Sequence, residues 1–157
     1  MSRLAAVRRV AAILLLALWW GGFTFYALVV VPTGHHVLRS KVRQGFITQE
    51  VTNKLNWLGA VTLALLLWQM LAARREGVSP RCFQVTAWSW ALLAATLAAL
   101  FWLHPHLDAL LDPVNRSVVD DDRFYALHRW YLIVATGQWL AALVHGAAVL
   151  RGFSTRR

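Results

Sequence analysis

The chain consists of four long apolar stretches separated by polar connections. A helix that crosses a bilayer needs roughly 20 mostly apolar residues. Four stretches meet that length, at residues 10–31, 55–73, 83–103 and 126–150. Because a backbone inside lipid must satisfy its own hydrogen bonds, each stretch predicts a transmembrane helix. We therefore expect an all-α fold, an integral membrane four-helix bundle in which residues 1–157 form a single transmembrane domain.

The connection between the first two stretches has a pattern of its own. In the segment VLRSKVRQGFITQEVTNKL, apolar residues recur about every four positions, at Leu38, Val42, Phe46 or Ile47, Val51 and Leu55. This spacing puts them on one face of a helix whose other face is polar. The segment therefore predicts a short amphipathic helix that lies at the outer membrane interface.

Composition favours a membrane protein over a soluble domain. Hydrophobic residues make up 59% of the chain and charged residues 15%, whereas soluble domains average about 25% charged residues. The net charge of +9 could indicate nucleic acid binding. However, the basic residues flank apolar stretches instead of clustering on a polar domain, so we expect no nucleic-acid partner. The single cysteine, Cys82, excludes an internal disulfide and a Cys-rich zinc site.

The basic residues also predict an orientation, because cytoplasmic loops carry an excess of Lys and Arg. With four spans, both termini and the second connection share one side of the membrane. That side carries nine of the 16 basic residues, and the other carries seven together with six of the seven acidic residues. We therefore predict an inner (plasma) membrane protein with both termini in the cytoplasm.

Polar and small residues form stripes along the apolar stretches. In the fourth stretch the stripe consists of His128, Tyr131, Ala135, Gln138, Ala142 and His145. The third stretch has a similar stripe at Thr86, Ser89, Leu93, Thr96, Leu100 and Leu103, and the second offers Thr62 and Gln69. Polar side chains at depth usually face the interior of a bundle. The stripes are typical of close helix packing, and a transport path or a buried cofactor is the alternative interpretation.

Five of the six histidines fall near one predicted membrane face: His35, His36, His104, His106 and His128. Imidazole is a ligand for Cu, Zn, Ni and Fe. The hypothesis is that three imidazoles from three helices bind a transition metal, copper foremost, at the outer end of the bundle. The alternative is that these histidines have interfacial or packing roles. His145 lies about 25 Å along its helix from His128, at ~1.5 Å per residue, so it should not share the ion.

Two other functions remain open from the sequence. A haem b held by two histidines needs imidazoles that face each other from different helices, and His128 with His104 or His35 could supply them. A structural or accessory subunit of a larger membrane complex is the second alternative, with a membrane protein or a second copy of the chain as partner. We find no Ser-His-Asp set, phosphate loop or paired intramembrane carboxylates, so the sequence predicts a non-enzymatic protein in the lipid bilayer.

Two motifs carry a resemblance to a known family. The segment LWWGGFTFYALVVVPTGHHVL resembles the first helix of the transmembrane protein 205-like family, an uncharacterised, DUF4149-type family of four-helix membrane proteins. The segment FYALHRWY resembles the F-x-x-L-H motif that opens the last helix of that family. The matching positions are Gly21, Gly22, Pro32, Phe124, Leu127 and His128. The family commonly has Phe just after the proline, where this chain has Gly34, His35 and His36. A more distant likeness is to copper-resistance protein D-like domains.

Overall fold

The computed structural model describes residues 3–115 and 117–154, and among their side chains it leaves out Lys41 and residues 152–154. The helices are α1 (Arg3–Phe25), α2 (Val31–Leu38), α3 (Lys41–Arg75), α4 (Pro80–Asp108) and α5 (Asp121–Ser154). In this part of the chain four helical segments are long and apolar enough to cross a membrane: Arg3–Leu38, Val42–Arg75, Pro80–Asp108 and Asp121–Arg151. The predicted all-α four-helix bundle is therefore confirmed. Three basic residues of the charge count lie outside the described residues: Arg116, Arg156 and Arg157.

The first span is one continuous helix that widens near its end. Five residues of π-helix, Tyr26–Val30, join α1 to α2. In this turn the Val31 N–H donates to the Tyr26 carbonyl, five residues back. Pro32 lies at the start of α2, and a proline has no N–H for the carbonyl four residues before it. A π-helical turn absorbs such an interruption without ending the helix.

The amphipathic segment between the first two spans is helical as predicted, but it is not a separate helix. Residues 41–54 form the first part of α3, which continues to Arg75 over 35 residues. The segment has no proline and a single glycine, Gly45, so helical hydrogen bonding propagates from it into the apolar span. At ~1.5 Å per residue, α3 is about 52 Å long, far more than the ~30 Å hydrocarbon thickness.

The long connection between α4 and α5 contains a small hairpin. Strand β1 (Leu111–Asp112) pairs antiparallel with β2 (Ser117–Val118). The Asp112 carboxylate accepts hydrogen bonds from the backbone N–H and the side-chain amide of Asn115 and from the backbone N–H of Val114. These bonds hold the pKa of the Asp112 carboxyl below its ordinary value, and the bond from the Asn115 backbone N–H has the largest effect. The turn is thus closed by a charged acceptor.

Side-chain caps fix where α3, α4 and α5 begin. The Ser40 and Ser79 hydroxyls accept from backbone N–H groups three residues on, at 3.3 and 3.4 Å. Asp120 Oδ1 accepts from the Arg123 N–H at 3.0 Å and caps the start of the fourth span. Caps of this kind satisfy backbone donors that the helix itself leaves free.

The inward stripe of the fourth span is confirmed at five of its six positions. Tyr131, Ala135, Gln138, Ala142 and His145 are all 6% exposed or less, and His128 is half-buried. They pack mainly against α4, and the contact between α4 and α5 is the most extensive between helices in the bundle. In the stripe of α4, the buried residues are Thr86, Ser89, Leu93, Leu97, Leu100 and Leu103. Leu97 therefore takes the inward position that the sequence pattern gave to Thr96, which is half-buried.

Candidate functional site

A cavity lies inside the bundle at the end that carries the start of α1 and the turn between α3 and α4. It holds about 420 Å³ of unfilled space, part of it open to the surroundings. Its polar lining residues are Arg9 of α1, Gln69 of α3, Cys82 and Thr86 of α4 and His145 of α5. Because all four spanning helices contribute, the cavity exists only in the assembled bundle.

His145 presents a buried lone pair at this cavity. Its side chain is 0% exposed, and its Nδ1 lies 2.9 Å from Ser89 Oγ. The Ser89 hydroxyl donates its own hydrogen to the Thr86 carbonyl at 3.0 Å. Ser89 Oγ therefore accepts from His145 Nδ1, which must carry the ring proton. In the neutral ring Nε2 is then the acceptor, and it has no hydrogen-bond partner among the described residues.

Two sulfur atoms belong to the same cavity lining. Cys82 lines it from α4, with Sγ 3.6 Å from the Ala148 carbonyl of α5. Met70 lines it from α3 and is 8% exposed. Thiolate and thioether are the ligands that select soft ions such as Cu(I), and imidazole suits copper as well. The cavity thus combines the three kinds of side chain that copper prefers.

Two arginines and one glutamate lie beside the cavity. Nη2 of Arg8 and Nη2 of Arg9 contact different carboxylate oxygens of Glu76, each at 2.5 Å. Arg8 Nε also donates to Gln69 Oε1 at 2.6 Å. Both arginines are only 8% exposed, and a buried guanidinium is costly unless it is paired. We call these three residues the Arg–Glu–Arg cluster, and it ties the start of α1 to the end of α3.

The histidines predicted as metal ligands occupy separate surroundings. His35 and His36 are exposed on α2. His106 is also exposed, with Nδ1 2.7 Å from the Trp102 carbonyl of its own helix. His128 is half-buried and stacks on Phe124, with ring centroids 5.8 Å apart.

His104 is the buried member of that group. It is 8% exposed, and its Nε2 lies 3.4 Å from Asp108 Oδ2, one turn along α4. Its ring centroid is 6.5 Å from that of Tyr131 on α5. Within residues 3–115 and 117–154, no group of three or more His, Cys, Asp or Glu side chains is arranged to hold a metal ion. The metal site at His35, His36, His104, His106 and His128 stays a prediction.

Sequence reasoning missed Cys82, Met70 and His145 as neighbours. His145 was treated as isolated because no other histidine lies at its depth. The sequence feature that could have identified the surroundings of His145 is a pair of polar residues at the same depth on two inward stripes. Ser89 and His145 each lie on the inward stripe, near the basic end of its span. Two inward polar residues at one depth on neighbouring helices predict a hydrogen bond between them.

Comparison with known proteins gives one family. The family profile described as a domain of unknown function, DUF4149, matches residues 14–112. This range runs from α1 through the start of the hairpin and leaves out α5. No curated protein and no solved structure gave a significant match.

Proposed function

We propose a role for this chain from its own residues, because it belongs to the DUF4149 family, which is defined by a domain of unknown function. Its four apolar helices give it the character of an integral membrane protein. Within that class, the proposed function is to bind Cu(I) in the cavity beside the Arg–Glu–Arg cluster. The distant likeness to copper-resistance protein D-like domains is compatible with such a role.

The buried Nε2 of His145, which has no hydrogen-bond partner among the described residues, is the observation that carries the proposal. A buried acceptor without a partner costs free energy, and its lone pair suits a donor hydrogen or a metal ion. Cys82 and Met70 line the same cavity, and their sulfur atoms favour a soft metal ion over a hydrogen-bond donor. Ser89 supports the role because a hydrogen bond to the other ring nitrogen fixes the tautomer in which Nε2 can bind a metal.

Charge is compatible with a copper ion at this place. Arg9 lines the cavity, and a guanidinium opposes an added cation. Binding of Cu(I) by the Cys82 thiol releases a proton, so the copper–thiolate pair adds no net charge. In the predicted orientation the cavity also faces the cytoplasm, where thiols are kept reduced. Cu(I) and not Cu(II) is therefore the expected ion.

The proposal is tested by competition of the purified protein with a chromogenic Cu(I) chelator. We expect one Cu(I) per chain in the parent protein. Cys82→Ser and His145→Gln should weaken binding by at least about 100-fold, because each removes a ligand. Ser89→Ala should weaken it by roughly 10–100-fold, the usual effect of losing a hydrogen bond to a metal ligand. Sulfur coordination should appear in the copper X-ray absorption spectrum.

His128→Ala is the matched control, since it removes a half-buried histidine from the same helix, α5, and leaves the cavity intact. Its affinity for Cu(I) should equal that of the parent. If Cys82→Ser and His145→Gln bind Cu(I) as the parent does, the cavity is not the site. If His128→Ala and His104→Ala lose binding instead, the outer histidines are the ligands. A haem b carrier would be recognised by a Soret band in the purified protein.

We also propose that both termini lie in the cytoplasm of a cell whose inner membrane holds the protein. The excess of basic residues on that side supports this orientation. Reporter fusions after Arg43, after Arg75 and at the C-terminus should be active in the periplasm, the cytoplasm and the cytoplasm, respectively. A periplasm-active reporter at the C-terminus would reverse the orientation and put the copper cavity on the outer side.

A further inference from the structure

A second, aromatic groove lies between α1 and α5 in the middle of the bundle. It includes about 230 Å³ of space not filled by protein, part of it open to the surroundings, and Trp20, Phe23, Gln138 and Trp139 are among its lining residues. The rings of Trp20 and Trp139 stack with centroids 5.3 Å apart. Both indoles are half-buried, so the groove is partly accessible from the outside of the bundle.

The two indole groups differ in how their N–H is used. Trp139 Nε1 donates to Thr24 Oγ1 at 2.8 Å, and Thr24 donates onward to the Trp20 carbonyl at 2.7 Å. Trp20 Nε1 is buried and has no acceptor among the described residues. The indole nitrogen always carries its hydrogen, so this atom is a donor in every state of the protein.

Gln138 adds a second hydrogen-bond donor to the groove. Its side chain is 4% exposed, and its Nε2 has no hydrogen-bond partner in the part of the chain described. Two buried donors that line the same groove therefore have no acceptor among the described residues. In hydrocarbon there is no water to supply one.

The depth of these two donors in the bilayer limits which molecules can supply their acceptors. Trp20 lies near the middle of the apolar stretch 10–31, and Gln138 is the central residue of 126–150. Both donors therefore lie near the midplane of a bilayer, whereas tryptophan is usually enriched at its two interfaces. The ester carbonyls of phospholipids lie at the edge of the hydrocarbon core, about 15 Å from its centre. The acceptor must belong to an uncharged, lipid-soluble molecule.

We propose that this groove binds the head of a membrane quinone. A quinone ring is planar, carries two carbonyl acceptors and has no hydrogen-bond donor, so it complements Trp20 Nε1 and Gln138 Nε2. Its flat face stacks on an indole as aromatic rings do. Because the groove is open to the outside of the bundle, the isoprenoid or alkyl tail of the quinone lies in the lipid.

The test uses the full chain in phosphatidylcholine nanodiscs, titrated with a decyl-substituted benzoquinone. A ligand that binds the folded state raises the temperature of unfolding in a saturable way, and far-UV circular dichroism follows this unfolding. We expect such a rise for the parent protein. Trp20→Phe, which keeps an aromatic ring and removes the donor, should weaken binding at least about tenfold, and Gln138→Leu should weaken it as well. Trp88→Phe, at an α4 indole that is 78% exposed, should bind as the parent does.

Decylbenzene is the matched ligand control, because it has the ring and the tail but no carbonyl, and it should give no saturable rise. Absence of a saturable rise with the quinone in the parent overturns the proposal. Equal binding by Trp20→Phe and Trp88→Phe overturns it too. Cys82→Ser should bind the quinone normally, so the test is independent of the copper proposal.

Discussion

Glu76→Gln should lower the free energy of unfolding by about 2–3 kcal/mol. Removing one partner of a fully buried ion pair typically costs 3–5 kcal/mol, because a buried charge loses its compensation. Here the Glu76 side chain is 29% exposed while those of Arg8 and Arg9 are 8% and 10% exposed, so solvent reduces the cost. The substitution keeps the side-chain volume and removes only the negative charge between the two guanidinium groups.

Titration with SDS in mixed micelles measures this free energy. The control is Glu50→Gln, because Glu50 pairs with Lys54 at 3.9 Å on the surface of α3, where the two side chains are 72% and 80% exposed. That exposed pair should contribute less than about 1 kcal/mol. If both substitutions cost the same, the Arg–Glu–Arg cluster does not stabilise the bundle. Loss of stability should be accompanied by faster proteolysis at the start of α1.

Gly59→Ala should destabilise the protein by roughly 1–3 kcal/mol, as overpacking of a tight helix contact does. A methyl group at Gly59 would lie 2.7 Å from Cε2 and Cζ2 of Trp19. Trp19 is 4% exposed and belongs to the core cluster with Leu63, Leu66 and Leu93, so its rigid ring has little room to move. The close approach of α3 to α1 therefore requires glycine at this position.

Gly137→Ala is the matched control within α5, because nothing lies within 4 Å of a methyl group there. It should leave stability unchanged or raise it by about 0.5–1 kcal/mol, since alanine is the better helix former. The same SDS titration compares the two variants. Opposite signs are the expected result, and equal effects would mean that Trp19 adapts to a larger neighbour at little cost.

The number of spanning helices and the inward face of α5 could be predicted from sequence because lipid imposes simple rules. Apolar length fixes which segments span, and polar residues at 3.6-residue spacing identify the inward face. Tyr131, Gln138 and His145 were assigned inward on that ground, and all three are buried. Thr96 was misassigned because the larger apolar neighbour Leu97 takes the inward position. The Thr96 hydroxyl is satisfied by the Leu92 carbonyl of its own helix at 2.8 Å, so it does not require an inward position.

The candidate site was harder to predict because it depends on which helices are neighbours. In the sequence, Cys82 and Met70 look like ordinary apolar residues. Only the packing of α3, α4 and α5 places them in one cavity with His145. The tautomer assigned to the neutral His145 ring follows from two hydrogen bonds of Ser89, and no spacing rule encodes them. The outer histidines, by contrast, were grouped by proximity to one membrane face, which fixes depth and leaves their lateral separation open.

The unbroken length of α3 has a consequence for the membranes that suit this protein. Its apolar part, residues 55–73, is about 28 Å long at ~1.5 Å per residue. No turn marks the boundary at residue 55, and Lys54, with a side chain 80% exposed, is the first charged residue beyond it. In a thicker bilayer the helix can sink by part of a turn while the Lys54 ammonium extends along its stem to the headgroups. Hydrophobic mismatch, which costs fractions of a kcal/mol per Å, is then absorbed by one side chain, and the bilayer need not thin around the bundle.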